Sequence, residues 1–162
     1  MTGRVLALSR RGVRRAPMET LDRADISTSH GLLGDYKGTK HPTRQITVLA
    51  NEDWRAALSD LPADARTLPW TTRRANIFIE ELRLPRVKGA ILTIGDVRLE
   101  VTGQTYPCRR MDEAYPGLLK ALAPNWRGGV TCKVLSAGQV ALGDDIKILS
   151  SPPEPPTRIL PG

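Results

Sequence analysis

Hydrophobic and polar positions alternate most regularly over AILTIGDVRLEVTG, residues 90–103. Val97, Leu99 and Val101 share one face of an extended chain there, while Arg98, Glu100 and Thr102 share the other. Gly95-Asp96 between the two runs predicts a hairpin closed by a two-residue type II′ turn. The same period recurs in GVTCKVLSAG, 129–138, which sets Val130, Cys132 and Val134 on one side. Compact apolar runs predict further strands over Arg4–Ser9, over the β-branched RQITVLA at 44–50, and over ANIFIE at 75–80. GDDIKIL, 143–149, reads as a turn followed by a last strand.

Only two stretches carry a helical period. After Asn51, a candidate cap, Glu52 and Asp53 favour the positive end of a helix dipole. Trp54, Ala57, Leu58 and Leu61 then fall on one face, and Pro62 stops the run. PGLLKALA, 116–123, is bounded by Pro116 and Pro124. Many short strands, turns rich in Gly and Asp, and few helices predict a mainly β fold, a closed or nearly closed barrel with a few short helices. The domain is expected to occupy 1–149, with a proline-rich extended or disordered tail over 150–162.

A chain of 162 residues suits one domain and can bury a sizeable core without staples. No apolar run approaches the ~20 residues of a membrane helix. The N-terminal apolar run precedes its arginines, the reverse of an export signal, and two cysteines make no disulfide framework, so the expected location is cytoplasmic. The net charge of +7 favours anionic, phosphate-bearing ligands. An aromatic content of 4% argues against a nucleic-acid platform built on base stacking.

The candidate chemistry centres on TGQTYPCRRM, 102–111. Pro107 turns the chain out of a strong strand, and Arg109 and Arg110 follow Cys108 directly. Cations nearby favour the thiolate, which is both the nucleophile and the soft-metal ligand; the alternative is a loop cysteine beside two solvated arginines. Cys132, alternating with valines, reads as a small buried hydrophobe. The stretch 30–49 combines glycines with Asp35, Lys37, Lys40, His41 and Arg44, so backbone amides and cations there suit an anion, without the spacing of a phosphate-loop or dinucleotide fingerprint. Arg73 and Arg74 precede the strand at 75–80, and arginine forks suit phosphate. Asn76 is a candidate for holding a loop or hydrogen-bonding a polar heterocycle. With only His30 and His41 available, a zinc site is short of ligands. No order of Ser, His and Asp and no paired carboxylates stand out.

Four segments, taken in order, resemble the MOSC domain, the module named after the C-terminal domain of molybdenum cofactor sulfurases. GLLGDYKGTKHPTRQITVLANEDW resembles its G-x-x-G-D … R-Q-V stretch, and RRANIFIEEL its R-x-N-I strand. GAILTIGDVRLEVTGQTYPCRRM resembles its hairpin ending in p-C, and RGGVTCKVLSAGQVALGDDIKIL its closing strands. Together they span about 30–149. The resemblance implies a strand-rich barrel linked to the molybdenum cofactor (Mo-molybdopterin). It maps Cys108 onto the cysteine proposed either to ligate molybdenum or to carry sulfur as a persulfide. It maps Arg74, with Arg73 beside it, onto the arginine that holds the pterin phosphate or ring, and Arg44 onto the R-Q-V arginine. Many members have a histidine where this chain has Lys37; His41 lies four residues further on. The chain resembles a small stand-alone member, without the pyridoxal-phosphate domain of full sulfurases or the additional N-terminal barrel of amidoxime-reducing members.

Three functions are therefore expected in order. In the first, the cofactor is bound by Lys37, Arg44, Arg73, Arg74 and Asn76 with Cys108 on the metal, and small N-hydroxylated substrates are reduced with electrons from a separate reductase. In the second, Cys108 accepts sulfur from a cysteine desulfurase as a persulfide and passes it on. In the third, the basic barrel binds a polyanion without catalysis.

Overall fold

The computed structural model describes residues 1–156. Seven strands close into a ring. β1 (Thr2–Arg10) pairs antiparallel with the last strand of the chain, β11 (Asp145–Ser150). From β11 the ring runs antiparallel through β7 (Ile91–Ile94), β8 (Val97–Gln104), β9 (Val130–Ser136) and β5 (Ile46–Ala50). β5 then pairs parallel with β6 (Ile77–Glu80), and β6 returns antiparallel to β1. The single parallel pair needs a crossover. α1 (Asn51–Ser59) and two 3-10 turns, Ala63–Thr67 and Trp70–Arg73, supply it.

The interior follows the period-two pattern. Leu8, Ile46, Val48, Ile77, Ile79, Leu92, Ile94, Leu99, Val101 and Cys132 fill one apolar cluster. A second cluster lies outside the ring, where Leu49 and Phe78 meet Trp54, Ala57 and Leu58 of α1 and Leu118 and Leu122 of α3 (Leu118–Leu122). β5 is thus covered on both faces, and all five of its residues are buried, which is why it reads as a continuous apolar run rather than an alternating one. Trp70 stacks on Phe78 with ring centroids 5.0 Å apart and anchors the second 3-10 turn to β6.

The hairpin forms in the expected register, with Leu92 opposite Leu99 and Ile94 opposite Val97. Gly95 takes the left-handed φ of 57° and Asp96 does not, as a type II′ turn requires. Elsewhere the boundaries move. The segment 129–138 divides, and β10 (Gly138–Ala141) leaves the ring to join β3 (Arg23–Ser27) and β4 (Gly31–Leu32) in a small second sheet. Asn51 is the first residue of α1 and not its cap: the cap position falls on extended Ala50, and no side chain caps the helix. Glu52 and Asp53 do occupy the first turn, and the helix closes at Ser59, ahead of Pro62. The helix expected over 116–123 contracts to α3, because Gly117 takes a left-handed φ of 91°. β2 (Glu19–Leu21), which pairs with β1, and α2 (Arg110–Ala114) lack a distinct signal in the sequence.

The expected tail begins one residue inside β11. Residues 151–156 have no regular structure, yet Glu154 holds them down: its carboxylate accepts two hydrogen bonds from Arg83 Nη1 at 3.0 and 2.9 Å and one from the Arg86 amide at 2.9 Å. The remainder of the proline-rich stretch lies outside the described residues.

Candidate functional site

One region of the barrel wall gathers the end of β1, the start of β6, the middle of β5, the start of β9 and the end of β8, where Leu8, Ile77, Val48, Val130 and Gln104 lie in register. Arg73 and Arg74 enter it from the turn before β6. Arg74 has a left-handed backbone (φ 65°), an uncommon conformation for a side-chain-bearing residue, and it separates the directions of the two arginines. The turn is fixed from beneath. The Ser9 hydroxyl donates to the Ala75 carbonyl at 2.6 Å, and the Ser9 amide to the Asn76 carbonyl at 2.8 Å. Asn76 is 1% exposed and lies outside the hollow described below. Its Oδ1 accepts the Thr47 amide at 3.0 Å, and its Nδ2 donates to the Ser9 carbonyl at 3.3 Å. It joins β1, β5 and the start of β6, and its amide has no face left for a ligand in the hollow.

Arg73 is 6% exposed and has no carboxylate partner among the described residues. Its Nε–H donates to the Gly128 carbonyl at 3.2 Å and its Nη2 to the Thr105 carbonyl at 2.9 Å. Burial pushes its pKa down to about 10, opposed by the charge of Cys108. Arg74 donates through Nη2 to the Ala16 carbonyl at 2.6 Å; burial, then Arg11 and Arg110, lowers its pKa.

The glycine-rich loop folds on itself through Gly38, where a Cβ would collide with the His30 carbonyl, and through Gly31, with φ of 66°. Two side chains then tie it to the barrel. The buried Asp35 carboxylate accepts the Arg11 amide at 3.1 Å and the Lys37 amide at 3.2 Å. Buried Gln45 accepts the Val134 amide at 2.9 Å and donates to the Thr28 carbonyl at 2.8 Å. The G-D and R-Q elements of the sequence thus carry structural ties as well as cations. Burial, then the neighbouring Arg11, pushes the Lys37 amine down to about 8.

The strand β8 ends at Gln104, and the chain reaches exposed Cys108 over Tyr106 and Pro107. The Met111 amide donates to the Cys108 carbonyl at 2.9 Å, which places the thiol one turn before α2. Cys132 is also free, but it is sealed within the barrel, where burial drives its thiol pKa strongly upward. A buried neutral thiol is inert, so the two cysteines divide as their sequence contexts predict.

These elements enclose a hollow of about 220 Å3. Of the residues singled out in the sequence, Lys37, Arg44, Arg73, Arg74 and Cys108 line it, and His41 joins them. Asn76 does not; nor does His30, whose Nδ1 lies 2.7 Å from the Ser29 hydroxyl. Of the two arginines after Cys108, Arg110 lines the hollow and Arg109 does not; the structure adds Arg11, together with the hydroxyls of Thr47, Thr105 and Thr131. No carboxylate lines the hollow. Arg11 escaped the sequence reading because SRRGVRR looks like a solvated arginine run; its backbone is held against the glycine-rich loop by Asp35 and by the Tyr36 amide. Three buried polar atoms have no hydrogen-bond partner among the described residues: Arg11 Nη1, Arg74 Nε and Thr105 Oγ1. All three residues line this hollow. Buried polar groups left unpaired cost about 1–3 kcal/mol each, so the open hydrogen-bonding positions are kept at the expense of stability.

The MOSC domain model matches residues 35–147, well over half of the chain. The chain belongs to the MOSC domain family. No curated protein matches it. Among solved structures, this MOSC chain is similar to the YuaD protein from Bacillus subtilis, with a TM-score of 0.72 and 19% identity over 90% of this chain and 94% of that one. It is also similar to YiiM from Escherichia coli, with a TM-score of 0.71 and 17% identity over 93% and 72% of the two chains. YiiM from Geobacillus stearothermophilus gives a TM-score of 0.70 at 14% identity, over 91% and 75%. At these identities the likeness is one of fold, and the strand-rich barrel expected of the family is the architecture found.

MOSC domains are generally associated with the molybdenum cofactor. The donor set fits such a group. A phosphorylated pterin dithiolene is acceptor-rich and anionic, and the hollow offers cations, hydroxyls and unpaired N–H groups without an opposing carboxylate. No cluster of three or more His, Cys, Asp or Glu side chains that could cage a metal occurs among the described residues. Protein ligation at the hollow would therefore come from a single soft donor, Cys108, with the remaining ligands supplied by the cofactor itself.

Proposed function

We propose that this MOSC protein binds the molybdenum cofactor in the cationic hollow, with Cys108 as the protein ligand to the metal, and reduces small N-hydroxylated substrates. The observation that carries the reading is the coincidence of three unpartnered buried polar atoms with a carboxylate-free, cation-lined hollow that has an accessible thiol at its rim. Arg11, Arg74 and Thr105 hold the phosphate and neighbouring polar atoms through those open hydrogen-bonding positions. Lys37 and Arg44 add charge from the glycine-rich loop. Arg73 keeps the Thr105 and Gly128 carbonyls turned away from the anion by occupying them itself. When bound, the cofactor supplies two-electron redox chemistry at its metal. The sequence has no recognisable flavin or iron–sulfur motif, so electrons come from a separate reductase. The expected compartment is the cytoplasm; no helix among the described residues is long and apolar enough to cross a membrane.

The test is molybdenum and pterin quantitation on protein made with cofactor synthesis intact, wild type against Cys108→Ala. Near-stoichiometric metal in the wild type and its loss in the variant support the reading; absent loading in both overturns it.

The exposure of Cys108 favours a second reading, sulfur transfer. The thiolate attacks the sulfane sulfur of a cysteine desulfurase persulfide, forms a persulfide on Cys108 and releases the desulfurase thiolate. The surrounding arginines stabilise the anionic persulfide. Cyanide-labile sulfur on Cys108 in metal-free protein selects this reading over the first.

A further inference from the structure

A second hollow, of about 360 Å3, adjoins the cationic one. The two share Arg74, Arg110 and Met111 as a common wall. The rest of its lining is Thr71 and Thr72 of the 3-10 turn and Glu113 and Ala114 of α2. Because the Met111 amide is bonded to the Cys108 carbonyl, this hollow stands one turn of chain from the thiol.

Its chemistry differs from that of its neighbour in one respect. Among the described residues, Glu113 is the only carboxylate in the lining of either hollow. Among the described residues it forms no ion pair, and neither does Arg110 beside it. The second hollow therefore presents guanidinium donors, a carboxylate acceptor three residues from Arg110 on the same face of α2, and hydroxyls that act as either. A cation would face two arginines there, and a dianion would face Glu113. An uncharged edge with a donor and an acceptor on adjacent atoms satisfies both at once. Met111 is buried at the base of the hollow, and the exposed methyl of Ala114 offers an apolar surface for the body carrying that edge.

We propose that the hollow bounded by Thr71, Thr72, Arg74, Arg110, Met111 and Glu113 is the substrate subsite, that it takes neutral planar molecules with an amide-like donor–acceptor edge, and that Glu113 is its specificity-determining residue. This rests on the reading that the neighbouring hollow holds the anionic cofactor. The division of labour follows from charge: anions are drawn past Glu113 into the carboxylate-free hollow, and neutral molecules remain over the shared wall, within reach of the rim that carries Cys108.

The test uses the full chain with the cationic hollow saturated by inorganic phosphate, and two small probes of similar shape, N-hydroxybenzamide held at a pH where it is uncharged and benzoate, with dissociation constants measured by calorimetry or ligand-observed NMR. Wild type is expected to prefer N-hydroxybenzamide. Glu113→Gln should remove most of that preference, and Glu113→Lys should invert it by about tenfold, because the hollow then becomes wholly cationic. Circular dichroism confirms folding of these exposed-site variants, and metal content is measured on the same preparations. An unchanged probe ratio in Glu113→Lys overturns the subsite whatever the metal content. An inverted ratio in protein that never carries molybdenum upholds the subsite and overturns the cofactor reading.

Discussion

The Arg73 guanidinium lies directly against Gly128, donating Nε–H to its carbonyl at 3.2 Å. Gly128 permits this because it has no side chain: a Cβ there would collide with the Thr105 carbonyl and come within 3.1 Å of Arg73 Nη2. Gly128→Ala is accordingly expected to displace Arg73, expose its unpaired charge and destabilise the protein by about 2 kcal/mol. Urea unfolding measures the loss, and unchanged stability would show that the clamp yields without cost.

Arg73 and Arg11 should respond oppositely to neutralisation. Arg73→Gln leaves the Thr105 and Gly128 carbonyls without their donor and lowers thermal stability. Arg11→Gln removes a guanidinium whose Nη1 is buried and unpaired, so the ligand-free protein keeps or gains stability. The same variant is expected to weaken inorganic phosphate binding by about tenfold, the scale of one lost charge-assisted hydrogen bond. Thermal melts with and without phosphate check both halves. This is the signature of a site held at the expense of stability.

Lys37 gives a pH dependence with a definite sign. Burial lowers its folded-state pKa from 10.5 to about 8, so between these values the unfolded chain binds more protons than the folded one. Stability therefore rises with pH across that window, with the full penalty of the buried charge below pH 8 and relief above it. Anion binding follows the opposite course, because a deprotonated amine offers no charge: affinity falls as pH climbs past 8. Lys37→Met should flatten both trends. The difference in unfolding free energy between wild type and variant, measured from pH 7 to 10.5, checks the sign.

The two thiols should separate cleanly. Iodoacetamide is expected to modify Cys108 in the native protein and Cys132 only after unfolding. Cys108→Ala leaves the melting temperature near that of wild type. Cys132→Ser places a hydroxyl in the barrel interior and costs about 1–3 kcal/mol. Peptide mapping after timed alkylation reads the first expectation, and melting curves the second.

Much of the barrel is legible in the sequence because its strands obey local rules. The hairpin of β7 and β8 announces itself through strict alternation around Gly95, and β5 and α1 through a β-branched run followed by a helical face. What local rules miss is set by distant partners. β3 and β4 are short strands whose pairing is completed by β10, more than a hundred residues later in the chain. Candidate site residues divide in the same way. Cys108, Arg73 and Arg74 stand in short motifs, and the structure brings them to one hollow. Arg11 is brought to the wall where its backbone meets Asp35 and Tyr36, contacts no spacing announces. Asn76 looks like a ligand-binding amide until its tertiary ties to Ser9 and Thr47 are visible.

Closure of the ring by β1 against β11 also bears on how the molecule is made. On the ribosome β1 emerges long before its neighbour, and it must wait with one edge unsatisfied until β11 has followed. Such non-local pairing slows folding and prolongs the interval in which a bare strand edge can recruit another chain. Arg11, beyond the opposite end of β1, leans instead on β2 and on the nearby Asp35, so the wall it supplies is laid down before the ring is sealed.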